Sequence, residues 1–290
     1  MKITKRTASS IPKEQAHGGS GARKVYASPD HLKSTHLDMM THGYLPAGQV
    51  FDWHDHQDIE EIMVVLKGEG KVADEDGEYP YAPGDVIIFP ANTKHKVVND
   101  SRYIPFTQQD SCCVPTSIQM IMYRHGIPLI PAEELGYHLG LTVPPEDASL
   151  FHKARVSPTP PSSAGYGTQI FKSEYDPNKI FKKLGIPLEF SKKLAVELNT
   201  EENLLNELRK IEESDTDALL CFNHGVVRGK YEPNSGHVVV FDRVIDGKVR
   251  IVDASWKQPK WRLIEPSLLL DAIKRHGNEN SGGIWYFVRA

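Results

Sequence analysis

His54 and His56 stand two residues apart, Glu60 and Glu61 follow shortly after, and His95 lies in a later segment. On an extended strand, residues two apart project from one face. Imidazoles and one carboxylate converging inside a β-structure suit Fe, Mn, Ni, Zn or Cu, whereas calcium asks for oxygen ligands. A second set is built on sulfur. Cys112 and Cys113 run directly into the string VPTSIQMIMYRHG, which reads as a helix with Pro115 in its first turn and Gly126 at its end. A thiol at a helix N-terminus meets the positive end of the dipole, which favours thiolate. Such a nucleophile needs a base, and the base an orienting group. His237 and Asp253, near the two ends of SGHVVVFDRVIDGKVRIVDAS, are the candidates, with His224 as a reserve base.

Each set makes demands on the elements around it. From Lys24 to Asn99 short apolar runs alternate with Gly, Pro, Asp and Asn, as in EIMVVLKGEG and GDVIIFPANTKHKVV. Even spacing of turn signals between short strands points to an antiparallel barrel or sandwich. The pattern changes across NDSRYIPFT, and helices near NKIFKKLG and TEENLLNELRKIEE follow. Strands come last, in ALLCF, HVVVFDRV, KVRIVDAS and GGIWYFVRA, an α+β arrangement. The thiol set requires His237 and Asp253 on one face of a hairpin. A three-residue turn, Ile245–Gly247, meets that requirement: Val244 pairs with Lys248, His237 falls opposite Ser255, and Asp253 is its diagonal neighbour. A two-residue turn slips the register by one and puts the pair on opposite faces.

Here the residues reach known families. Gly48, His54, His56, Glu61 and Gly68 match the first motif of the cupins, and Gly84, Pro90, His95 and Asn99 match the second. Glu61 rather than Glu60 has the family's spacing to Gly68. Asn92 stands where cupins have Gly, a mild departure because Asn tolerates a left-handed turn. The resemblance implies a barrel holding one metal ion on His54, His56, Glu61 and His95, and a homodimer formed through it. The later segment resembles the papain-like cysteine peptidases, in particular those that remove double-glycine leaders from bacteriocins. Their CGPTS-like string appears as CVPTSIQM, which aligns Cys113 as nucleophile, His237 as base and Asp253 as orienter. An upstream Gln in that family donates to the oxyanion together with the cysteine N–H; Gln108 and Gln109 compete for the role. Val114 replaces the usual Gly, and Cys112 leaves open which thiol reacts or whether the pair is redox-active.

The expected organisation is multidomain: a flexible segment 1–23, an all-β cupin barrel 24–104 and an α+β papain-like domain 105–290. The expected function is a cysteine hydrolase for a peptide or amide, with the metal barrel sensing or positioning the substrate. Three alternatives stand beside it. They are a metal-dependent cupin oxygenase or isomerase with a non-catalytic second domain, a thioester-mediated acyl transferase, and a non-catalytic regulator. Composition is that of a globular protein: of 290 residues, 39% are apolar and 25% charged. A net charge of -4 gives no argument for nucleic acid or an acidic membrane surface. No apolar run is long enough to span a bilayer, the basic amino terminus lacks a signal-peptide core, and three cysteines make no disulfide framework. A cytoplasmic location is the expectation.

Overall fold

A computed structural model describes residues 7–16, 22–31, 38–45, 49–66, 68–99, 101–214 and 216–290. The chain divides into two compact units, Met1–Arg102 and Tyr103–Ala290, two residues before the boundary expected from sequence.

The first unit is all β. Its strands are β1 (Glu14–Gln15), β2 (Ala22–Ala27), β3 (Met40–Tyr44), β4 (Val50–His54), β5 (Glu61–Val64), β6 (Gly70–Ala73), β7 (Glu78–Tyr81), β8 (Val86–Phe89) and β9 (His95–Val98). They form sheets ordered β1-β2-β3, β4-β9-β6-β7 and β5-β8. The segment expected to be flexible contributes β1, which pairs antiparallel with β2. Residues 1–6 and 17–21 of that segment, and Gly48 of the first motif, lie outside the described residues. Val65, Val72, Tyr81, Phe89 and Val97 make the core, with Phe51, Met63 and Ile87 against it. Period-2 alternation puts Glu61 on the same face of β5 as the core-packed Met63, while Ile62 and Val64 are exposed. That alternation aims the carboxylate inward.

The second unit contains α1 (Cys113–Arg124), α2 (Ala132–His138), β10 (Thr142–Val143), β11 (Arg155–Val156), α3 (Pro177–Leu184), β12 (Leu188–Leu194), α4 (Glu201–Glu213), β13 (Asp217–Asn223), α5 (His224–Val227), β14 (Gly236–Ile245), β15 (Lys248–Val252), β16 (Trp261–Ile264), α6 (Pro266–His276) and β17 (Gly283–Arg289). Six strands make one antiparallel sheet, ordered β12-β17-β13-β14-β15-β16. Both faces are covered. Val114, Ile118, Leu135 and Phe181 of the early helices pack with Val238, Val240 and Val252, while Leu204, Leu208 and Leu269 of α4 and α6 pack with Val239, Phe241 and Ile251. Burial on both faces explains why ALLCF and HVVVF are continuous apolar runs rather than alternating ones.

The β14–β15 hairpin corrects one expectation. Ile245 pairs with Lys248, so the turn has two residues, not three. Asp246 and Gly247 both take positive φ, 49° and 77°, as the tight hairpin turn of an Asp-Gly pair requires. The missing residue is supplied elsewhere, because the register shifts by one between Phe241 and Arg243, where Asp242 bulges. Beyond the bulge Val240 pairs with Val252, and continuation of that register sets His237 opposite Ser255. The bulge is locked from inside: the fully buried Asp242 accepts from Arg250 Nε at 2.6 Å.

Candidate metal centre and thiol centre

In the first unit, β4 delivers His54, the loop beyond it His56, β5 Glu61 and β9 His95. His54 and His95 are direct cross-strand partners, and their ring centroids lie 4.4 Å apart. Glu61 Oε2 lies 3.1 Å from His56 Nε2 and 3.3 Å from His95 Nε2. One ligand atom from each of the four residues falls within 4.8 Å of all the others. The rings are oriented from behind: His54 Nδ1 donates to the Asp52 carbonyl at 2.6 Å and His95 Nδ1 to the Thr93 carbonyl at 2.8 Å. Spending Nδ1 in this way leaves Nε2 as the donor to a metal. Phe89 stacks on His95 at 4.0 Å. Burial pushes the His54 pKa down. Burial also opposes the charges of Glu61 and His95, but their mutual hydrogen bond outweighs it, lowering Glu61 and raising His95. The donor set and its orientation fit a divalent transition-metal ion.

The competing Glu60 is exposed and stands outside this cluster. Asn92 sits at φ 64°, the left-handed position expected of it. It also does what glycine cannot: its side chain accepts from the Asp58 N–H at 3.2 Å while its own N–H donates to the His56 carbonyl at 2.9 Å. The loop carrying His56 is thereby fastened to the loop before His95. Asn99 Nδ2 donates to the Leu45 carbonyl, so this motif residue is a brace.

In the second unit the chain turns sharply at Ser111, φ 66°, and α1 opens with Cys113 as its first residue. The leading N–H groups of a helix have no intrahelical partner, so they face outward at the thiol. Cys113 neighbours His237 closely enough to help raise its pKa, and His237 Nε2 donates to Asp253 Oδ1 at 2.9 Å. All three expected residues therefore meet. Asp253 Oδ1 also accepts from the Ser255 N–H at 2.9 Å, and Oδ2 accepts from Arg262 Nη2 at 2.5 Å. Burial disfavours a charge on either member of the pair, but the bonds to Asp253 and Cys113 raise His237 to about 9. The same bond, with Ser255 and Arg262, holds Asp253 at about 2.

The other candidates of the sequence lie close by. Cys112 is fully buried with Leu141 and Val143, and burial pushes its thiol to about 12; it is core. Gln109 Nε2 donates to the Leu150 carbonyl at 2.6 Å. Gln108 is tied by its N–H to the Ala254 carbonyl at 2.9 Å, and its side-chain oxygen is buried without a partner. Of the two, Gln109 is the one that spends its side-chain N–H on a carbonyl. His224 stacks on His237 with centroids 4.6 Å apart, and burial drives it down to about 3, so it stays neutral and is no base. Ligand atoms of His224, His237 and Asp253 also gather within 4.8 Å, but the guanidinium of Arg262 on Asp253 disfavours a further cation there. Trp285 is buried core, whereas Trp256 is exposed. Arg262 escaped the sequence reading, because nothing local marks an arginine on an edge strand as the partner of a distant carboxylate.

The chain matches the Cupin domain family over residues 42–106. No curated protein matches it. Among solved structures, a predicted oxalate decarboxylase from Thermotoga maritima is 26% identical over 32% of this chain and 84% of that one, with a TM-score of 0.29. KdgF from Halomonas sp. is 23% identical over 32% and 81%, TM-score 0.28. A sugar phosphate isomerase of the cupin superfamily from Silicibacter pomeroyi is 21% identical over 33% and 67%, TM-score 0.28. The family match ends at residue 106. The first unit carries a cupin domain.

Proposed function

We propose that the second unit is a cysteine hydrolase of a peptide or amide, and that the metal-holding cupin domain senses or positions its substrate. One observation carries this reading: His237 is bonded to Asp253 and has Cys113, the first residue of α1, as its other polar neighbour. In the proposed reaction Cys113 Sγ attacks the carbonyl carbon while its proton resides on His237. The Cys113 N–H and the Gln108 amide receive the oxyanion. His237 returns the proton to the leaving amine as the C–N bond breaks, and water then cleaves the thioester. Asp253 keeps the ring in place throughout. Val114, where the family has Gly, packs into the core.

A second reading makes the cupin domain a metal-dependent oxygenase or isomerase and the second unit non-catalytic. It is favoured by the family match, which falls on the unit with the full metal donor set. A divalent ion there would supply a Lewis acid for an oxygen ligand. Reaction with p-nitrophenyl acetate separates the two. The hydrolase reading expects a burst of one p-nitrophenolate per chain and an acetyl group on Cys113, both lost in Cys113→Ser and kept after chelation. An acetyl group spread over surface lysines, with no burst, overturns it.

A further inference from the structure

The carboxylate that orients His237 is held by a group no sequence motif marked. Arg262 lies on the edge strand β16 and donates Nη2 to Asp253 Oδ2 at 2.5 Å. Its side chain is 15% exposed and that of Asp253 is wholly buried. The other oxygen, Oδ1, already accepts from both His237 Nε2 and the Ser255 N–H. Lys260, two residues earlier, is spent elsewhere, since its ammonium donates to the carbonyls of Phe106, Ala254 and Ser255. The cation on the carboxylate is thus Arg262.

We propose that Arg262 is a positioning residue of the thiol centre, pinning the far oxygen of Asp253 so that the near oxygen stays on His237. The proposal rests on the hydrolase reading for its functional meaning, though not for its geometry. A carboxylate held at one oxygen can turn about its Cβ–Cγ bond; held at both, its plane is set. The groups facing His237 are Cys113, Asp253 and the neutral His224, with Arg262 behind Asp253. Two effects of removing Arg262 therefore oppose each other. Loss of a nearby cation by itself raises the His237 pKa, whereas loss of the Asp253 bond lowers it.

The test is an NMR titration of the full chain with isotope-labelled histidine rings, comparing the parent with Arg262→Met, Arg262→Gln and Arg262→Lys. The expected result is a fall of at least about one unit in the His237 pKa of Arg262→Met. Arg262→Gln and Arg262→Lys, which keep a donor for Oδ2, stay near the parent. An unchanged or raised value in Arg262→Met overturns the proposal. Should that variant not fold, a fall in Arg262→Lys as large as in Arg262→Gln, to below the ordinary histidine value, overturns it as well. Iodoacetamide reactivity of Cys113 is read in parallel. If it proves independent of His237 the hydrolase reading fails, and the histidine titration still decides the role of Arg262.

Discussion

Asp253→Asn is the perturbation from which most can be calculated. It keeps the shape of the side chain and removes the charge that His237 meets at 2.9 Å. Two rings stacked 4.6 Å apart give the scale of the effect. His224, without a carboxylate, is driven by burial to about 3, while His237, more deeply buried, stands at about 9 because of Asp253 and Cys113. With the carboxylate neutralised, burial takes over and His237 should fall below the unperturbed 6.5. A drop of more than about two units corresponds to about 3 kcal/mol of differential stabilisation. At pH 7.5 the protonated ring then makes up roughly a tenth of the population or less. Alkylation of Cys113, followed as a rate against pH, should slow about tenfold at that pH, with the loss shrinking toward acid. A profile that superimposes on that of the parent would refute the claim that Asp253 sustains the charged form of His237.

Other outcomes follow from the same structure. Asp242→Ala strands the buried Arg250 and should cost about 3–5 kcal/mol in urea unfolding. Cys113 should keep its reactivity in that variant, because β14 is also held in register by β13. The raised pKa of His237 contributes stability that is fully present below 6.5 and lost as pH climbs through about 9. The thermal midpoint should therefore fall across that window, and Asp253→Asn should flatten the slope; an equal slope in both contradicts the assignment. His95→Ala removes the one fully buried ligand of the metal set, so metal per chain by elemental analysis should drop while Cys113 alkylation stays unchanged. Full metal retention would place the ion elsewhere.

The metal centre was readable because its histidines are linked by short-range rules. His54 ends β4 and His56 lies in the loop just beyond it, not on the strand as its spacing suggested, while Glu61 and His95 each open a strand bounded by clear turn signals. The pairing of His237 with Asp253 was readable in the sequence, but its scaffolding was not. For His237 to fall opposite Ser255, one extra residue must lie between the hairpin turn and His237, in the turn or in the strand. The Asp-Gly pair dictates the two-residue turn, so the extra residue had to go into the strand as a bulge, at an Asp whose partner Arg250 lies across the hairpin. Local propensity does not encode such a choice. The same holds for β16, four residues long at the sheet edge, and for α2 and β12, which carry no strong local signal. Gln108 and Gln109 were indistinguishable until Leu150, far along the chain, took the second of them.

The central claim is that Cys113 is a nucleophile activated by His237. Intact-mass spectrometry after limiting iodoacetamide at mildly acidic pH tests it most directly, on the parent, Cys113→Ser, Cys112→Ser and His237→Ala. The account predicts a single fast adduct that vanishes in Cys113→Ser, slows in His237→Ala and persists in Cys112→Ser. Slow labelling at the same rate in every variant, or a fast adduct that survives Cys113→Ser, would contradict it and move the search for chemistry to the metal centre.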